Sequence, residues 1–351
     1  MSQNWQRHFE LQLLSADGEG IKLSGFKVTF KVEWFIGAAP KVAEVKIYNL
    51  TPDTANKIID REFSKIRLFA GYDGMTPVVP ESQVGIVREV EPGDIGQRDG
   101  NNYGLIFSGD IRITIDGRDS TPDTWLLIQA IDGHEAISYA TISATLSKGY
   151  TVKNMYDLAL AGLKPYNIVG GALPAFPTTI FPRGYTFHGK VSSYLTQIAK
   201  LCNASWELLD DRLEMYGKDH VAHPPVPLNS ANGMINMPQR TTGAGVNVKC
   251  LINPNIRLNG IIHLNESSLY RTAPALKELT DSRVESEKNK SAANKLNTTS
   301  SLAKINKDGL YEVCGITYSG DTRGKDWYMD LMCRAKDSKD LSEDNIQQKR
   351  P

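Results

Sequence analysis

The chain has 351 residues, with 40 Lys and Arg balanced by 40 Asp and Glu; that length exceeds one typical hydrophobic core and points to two or three domains. Balanced charge argues against a dedicated nucleic-acid binder, whose affinity needs an excess of cations. The start, Met1-Ser2-Gln3-Asn4-Trp5-Gln6, lacks a basic-then-apolar pattern, so no signal peptide is expected, and no apolar run nears the roughly 20 residues that span a bilayer.

Residues 8–50 alternate for long stretches. Phe26, Val28, Phe30, Val32 and Trp34 share one face, with Lys27, Thr29, Lys31 and Glu33 on the other, as in a half-buried antiparallel strand. Ala43, Val45 and Ile47 make the next strand. Thr51-Pro52-Asp53 then opens a short helix: Thr caps, Pro fits the first turn, Asp suits the dipole, and Ile58 and Ile59 dock it. Ile66, Leu68 and Ala70 form a strand ending at Gly71. From Asp73 to Asn102 the pattern dissolves into Pro, Gly, Asp and Asn, apart from a strand-like piece around Ile86 to Val90. Leu105 to Ile115 and Thr124 to Ala130 resume as strands. Residues 1–145, with an excursion over 73–103, read as one small twisted β-barrel or sandwich.

The middle, 146–228, changes character. Thr151 caps a helix in which Val152, Met155, Leu158 and Ala159 line one face and Gly162 is expected as the stop. A Pro-rich link from Pro165 to Pro182 follows. The next helix places Val191, Leu195, Ile198 and Cys202 on one side and ends at Asn203. A hairpin comes next: Ser205 to Leu209, the Asp210-Asp211 turn, then Arg212 to Tyr216. The run His220 to Pro227 is a stiff linker.

A second β unit spans 229–336, from Gly233 to about Leu264 and then through a hairpin at 309–334. It is interrupted by 266–308, a stretch dense in Ser, Asn, Lys and Glu whose one aromatic is Tyr270. Such a segment buries too little surface to offset ordering, and it reads as a solvated arm, part helix around Pro274 to Lys290. Residues 337–351 form a charged tail. In the last hairpin, Gly320 and Gly324 are expected to supply positive φ, and Asp321 to cap the turn. Trp327, Met329, Leu331 and Cys333 share one face of the second strand, giving a rigid edge built to be packed against. Asp321 and Arg323 are placed to pair across the loop or with a neighbouring subunit. Arg323 and Trp327 are residue types enriched at interface hot spots, so Asp321, Arg323 and Trp327 are the interface candidates.

Catalytic signals are weak. Asp110, Asp116, Asp119, Asp123 and Asp132 cluster in sequence with His134 and Glu135, and paired carboxylates can hydrolyse a glycan. These positions are strand ends and turns, where Asp is expected anyway, and the spacing does not fit a calcium loop. His220 and His223 have metal-ligand spacing but sit among prolines. Cys202, Cys250, Cys314 and Cys333 lack CxxC spacing and read as buried thiols in a reducing compartment. Gly243-Ala244-Gly245 does not open a helix, and no nucleophile-elbow or phosphate-loop element is present. No catalytic residue, cofactor or metal is expected, and the chain is read as not an enzyme.

Three stretches carry a family resemblance. The hairpin Gly309-x-Tyr311-x-Val313 … Gly320-Asp321-x-Arg323-Gly324-x-x-Trp327 resembles the baseplate hub proteins of contractile-tailed bacteriophages. So does Gly245-Val246-x-Val248-x-x-Leu251-x-Asn253-Pro254-x-Ile256, followed by Gly260, and so does Lys46-Ile47-Tyr48-Asn49-Leu50 running into Thr51-Pro52. The resemblance spans most of the chain but not 73–103 or 266–308. It implies a mainly β, α+β fold: two tail-tube-like β-barrels flanking a small α/β module. It also implies a homotrimer in which the barrels alternate around a pseudo-sixfold ring, joining the sixfold tail tube to the threefold spike. The implied partners are the tube, spike and baseplate wedge proteins, with DNA passing through the lumen without specific binding and no membrane insertion. The implied location is the virion tail baseplate, assembled in the host cytoplasm. Two alternatives stand: the hub part of a contractile secretion-system spike, and a tail-associated cell-wall hydrolase.

Overall fold

A computed structural model describes residues 6–15, 18–36, 40–74, 102–119, 122–217, 225–240, 245–264 and 309–335. Nearly all of the 73–103 excursion, with its Ile86–Val90 piece, lies outside the described residues. So do the 266–308 arm, the charged tail, and His220 and His223. Among the described residues no helix is long and apolar enough to cross a membrane.

The architecture is mainly β. The N-terminal unit consists of β1 (Arg7–Leu14), β2 (Gly20–Leu23), β3 (Val28–Phe35), β4 (Val42–Tyr48), α1 (Pro52–Ile59), β5 (Lys65–Tyr72), β6 (Asn102–Arg118) and β7 (Thr124–Ile131). Alternation drives it: Val28, Phe30, Val32 and Trp34 are buried on one face of β3, as are Ala43, Val45 and Ile47 on β4. Thr51 caps α1 as expected, accepting from Thr54 N–H, and Ile58 pins the helix to the core while Ile59 stays exposed.

The module follows: α2 (His134–Tyr139), β8 (Thr141–Leu146), α3 (Val152–Leu163), β9 (Val169–Gly170), β10 (Tyr185–Lys190), α4 (Val191–Leu201), β11 (Ala204–Leu209) and β12 (Arg212–Gly217). Thr151 forms a capping box with Asn154 at the start of α3. Gly162 does not stop that helix. It lies inside the last turn, where an added Cβ would come 2.8 Å from Ile142 and 3.1 Å from Val191, so its role is close packing. The helix tightens into a short 3-10 turn and ends at Asn167, φ 60°.

The C-terminal unit holds β13 (Val226–Leu228), β14 (Met234–Arg240), β15 (Gly245–Leu251), β16 (Ile261–Leu264), β17 (Leu310–Asp321) and β18 (Trp327–Ala335). It is not separate from the N-terminal unit. One 13-stranded sheet runs β2-β1-β5-β6-β7-β4-β3-β17-β18-β15-β14, with β16 also on β17 and β13 on β16. The predicted hairpin β17–β18 is therefore interior to the sheet rather than an edge.

Strand β17 is the seam. β18 occupies one of its sides; on the other, Leu310–Glu312 pair with β16 and Gly315–Asp321 pair with β3. The register slips between Val313 and Gly315, where the partner changes. That extra residue inverts parity: Tyr311 and Val313 face the core before it, Ile316 and Tyr318 after it. Both halves of the strand thus keep their apolar face inward. One apolar core accordingly runs through both β units, while the module has its own core of Val152, Met155, Ala159, Val191, Tyr194 and Ile198 among others.

Candidate functional site

Two polar assemblies position the parts of this molecule. The first is the tip of the β17–β18 hairpin. Asp321 Oδ1 accepts from the N–H groups of Arg323 and Gly324, both at 2.8 Å, which caps the turn as its sequence suggests. The expected positive φ is absent from Gly320 and Gly324. Both are there for space. A Cβ on Gly320 would come 2.3 Å from the Phe30 ring, and one on Gly324 would come 2.4 Å from the Asp321 carboxylate. Arg323 sends its guanidinium to Gly25 O at 2.7 Å, so the Asp321 and Arg323 side chains each engage backbone and do not pair with one another. Thr322 is stitched to β3 by three bonds: its N–H to Val28 O, its hydroxyl to Phe26 O, and Val28 N–H to that same hydroxyl, all at 3.0 Å.

Arg7, on β1, closes the tip from the other side. Its guanidinium donates to the carbonyls of Gly324 (2.7 Å), Lys325 (3.1 Å) and Asp321 (3.2 Å), and lies 5.5 Å from the Trp327 ring centroid. Trp327 is 2% exposed. It meets Phe30 edge-on at 5.5 Å and Phe9 at 6.4 Å, and its indole N–H donates to Gly71 O at 3.2 Å. The hairpin tip thus spans from β3 to β1 and β5, bridging the open side of the N-terminal unit. Of the three interface candidates, Trp327 is buried within its own chain, Asp321 is half-buried, and Arg323 is exposed.

The second assembly joins the module to the sheet. In the β11–β12 hairpin, Asp210 and Asp211 form the two-residue turn with φ of 48° and 66°. Their carboxylates enter a basic socket. Lys41 Nζ lies 3.2 Å from Asp210, and Ser108 N–H donates to Asp210 at 3.1 Å. Lys65 Nζ lies 2.5 Å from Asp211, which also accepts from the Ser108 hydroxyl at 3.2 Å. Lys41 has only 2% of its side chain exposed and sits 4.6 Å from the Trp34 ring centroid. Asp132 is fully buried beneath the turn and accepts from Asp210 N–H at 2.9 Å, while its Oδ1 has no hydrogen-bond partner among the described residues. Burial first, and the Asp210 charge second, hold the Asp132 carboxyl well above the usual carboxylate range against the pull of Lys41. Burial likewise pushes the half-buried Glu207, on β11, up to about 7.

The acidic run noted in the sequence is divided between two places. Asp110 and Asp132 lie at the module junction, where Asp110 accepts from Glu135 N–H at 3.0 Å. Asp119 pairs with Lys46 at 3.0 Å and Asp123 accepts from Asn49 at 3.3 Å, near the far end of the β6–β7 hairpin. No group of three or more His, Cys, Asp and Glu among the described residues is placed to hold a metal. Cys250, Cys314 and Cys333 are buried free thiols and Cys202 is half-buried; burial raises all four above the usual thiol range. An open groove of about 480 Å³ crosses the outer face of the seam, lined by Lys31, Glu33, Asn247, Lys249, Asp330 and Met332 among others. Its charges pair with one another, Lys31 with Glu33 at 2.7 Å and Lys249 with Asp330 at 4.0 Å.

Sequence reasoning placed the Asp210-Asp211 turn but missed its partners Lys41, Lys65 and Ser108. One local signal was available. Such turns favour Asn-Gly or Asp-Gly because both residues take positive φ, and two Asp there accept strain that a tertiary contact offsets.

No protein-family model matches the chain, and no curated protein matches its sequence. Solved structures do match. The 43 kDa tail protein of prophage MuSo2 from Shewanella oneidensis aligns over 94% of this chain and 98% of its own, with a TM-score of 0.52 at 8% identity. The fold is that of a phage tail protein. The tail protein from Neisseria meningitidis MC58 aligns over 94% of this chain and 97% of its own, with a TM-score of 0.48 at 9% identity. An E. coli component of the type VI secretion system, itself described as structurally similar to T4 bacteriophage tail proteins gp27 and gp5, aligns over 90% of this chain and 74% of its own. Its TM-score is 0.44 at 9% identity.

Proposed function

We propose that this chain is a structural, non-catalytic component of a phage tail, the hub that joins the tube to the spike. The observation that carries the reading is the tail-protein fold, with two β units fused through β17 into one sheet. A hub must convert sixfold symmetry to threefold. Three copies that each present two similar β units in a ring offer six repeats to a tube and three to a spike. Such a ring needs a fixed angle between the two units of each chain. The shared core, the bulge at Cys314 and the Arg7–Thr322–Trp327 clasp support that rigidity. The exposed Arg323, at the tip of the clasp, is the candidate contact to a neighbouring copy or partner. In this reading the chain belongs to the virion tail, and DNA passes through the lumen of the ring without sequence-specific contact.

Light scattering of the purified chain over a concentration range tests the ring. A mass three times the chain's 38.8 kDa is expected. A strict monomer that remains so when co-expressed with neighbouring tail proteins would count against it.

A further inference from the structure

The module meets the sheet through charge rather than apolar surface. Its core and the core of the β units are two separate clusters, and of the β11–β12 hairpin only Leu209 joins the larger one. Around Leu209 the contact is built from charged groups. On the module side stand Glu207, Asp210, Asp211 and Glu214, with Arg212 among them. Facing them from the sheet are Lys41 (ahead of β4), Lys65 and Arg67 (β5) and Arg257 (between β15 and β16), with Asp110 and Asp132 beneath. Two of these carboxylates, Asp210 and Asp211, pair directly with three cations, Lys41, Lys65 and Arg67. We propose that this contact is a latch: the α/β module undocks from the sheet as a rigid arm, keeping its own core and withdrawing Leu209 from the larger one, when the Asp210-Asp211 turn leaves its socket.

Several features point the same way. Asp210, Asp211, Lys65 and Arg67 each keep between 22% and 29% of the side chain exposed, so water and salt reach the pairs. Separating them rehydrates charged groups, whereas separating an apolar interface of the same size exposes oil to water. The chain enters the module at Gly133, which sits at φ 59° directly under Leu208, with no side chain to clash: an added Cβ would come 2.7 Å from Leu208. The unpartnered Asp132 Oδ1 under the turn weakens the closed state further. The latch concerns the module alone and stands whether or not the chain forms a ring.

Pulsed electron spin resonance on the full chain tests it. Spin labels go on the exposed positions Asn56 in α1 and Ser193 in α4, as N56C and S193C in a C202S background. One sharp distance is expected at low salt. At high salt, and in the K41M/K65M variant, a broad longer population should rise roughly tenfold while circular dichroism stays unchanged. The charge swap K65D/D211K should restore the sharp distance. A single unchanged distance under both treatments would overturn the proposal. Loss of both cores together would also overturn it, because the module would then not be an independent arm. The salt series on the chain with native Lys41 and Lys65 decides the matter even if K41M/K65M fails to fold.

Discussion

Replacing Trp327 tests whether the hairpin tip holds the N-terminal unit closed. The side chain is 2% exposed, packed between Phe30 and Phe9, with its N–H on Gly71 O. Trp327→Ala removes the ring and leaves a cavity, a change that costs about 3–5 kcal/mol in a packed core. It also strips the Gly71 carbonyl of its donor and Arg7 of the ring beneath it, so the upper half of that range is expected. Trp327→Phe keeps most of the aromatic contact and loses the N–H, which costs about 1–3 kcal/mol. Denaturant titration of the dilute chain gives the ranking, and amide exchange at residues 322–326 reports whether the tip stays stitched. Expected are a large loss and fast exchange for Ala, and a small loss with near-native protection for Phe. An Ala variant that loses less than about 1 kcal/mol, or a Phe variant as damaged as Ala, would refute the closure argument.

Three further outcomes follow from the same geometry. Gly320→Ala should destabilise by about 1–3 kcal/mol, since its Cβ would sit 2.3 Å from the Phe30 ring; a stability equal to that of the parent chain would mean the ring moves aside freely. Asp132 has a raised pKa, so between the ordinary carboxylate range and that raised value the unfolded chain has lost a proton the native chain retains, and stability falls as pH rises. Asp132→Asn should abolish that fall and be the more stable protein at neutral pH, as read from melting curves between pH 4 and 8. Glu207 obeys the same sign, with the loss of stability concentrated between its ordinary 4.5 and about 7; Glu207→Gln should recover about 3 kcal/mol at pH 8 and nothing at pH 4, and a gain equal at both pH values would contradict the assignment.

Much of the fold was legible because it rests on local rules. Alternation marked the buried face of β3, Thr51 and Thr151 marked two helix starts, and Trp327, Met329, Leu331 and Cys333 marked the inner face of β18. Even the seam left a trace. The apolar alternation of β17 changes phase at Cys314, which is the signature of a bulge. What the bulge does was not legible, because the exchange of β16 for β3 depends on residues nearly three hundred positions away. The same distance problem hid the socket. Lys41 and Asp210 are separated by 169 positions, and neither has a neighbour in sequence that names the other. Gly320 and Gly324 misled for a different reason: glycine in a turn suggests positive φ, yet here it answers to the bulk of Phe30 and Asp321.

Cryo-electron microscopy of the assembled particle locates the chain in the tail. Density for this chain is expected on the tail axis between tube and spike, with three copies arranged so that their β units alternate around the ring. Density away from the axis, or particles from which the chain is absent, would contradict it.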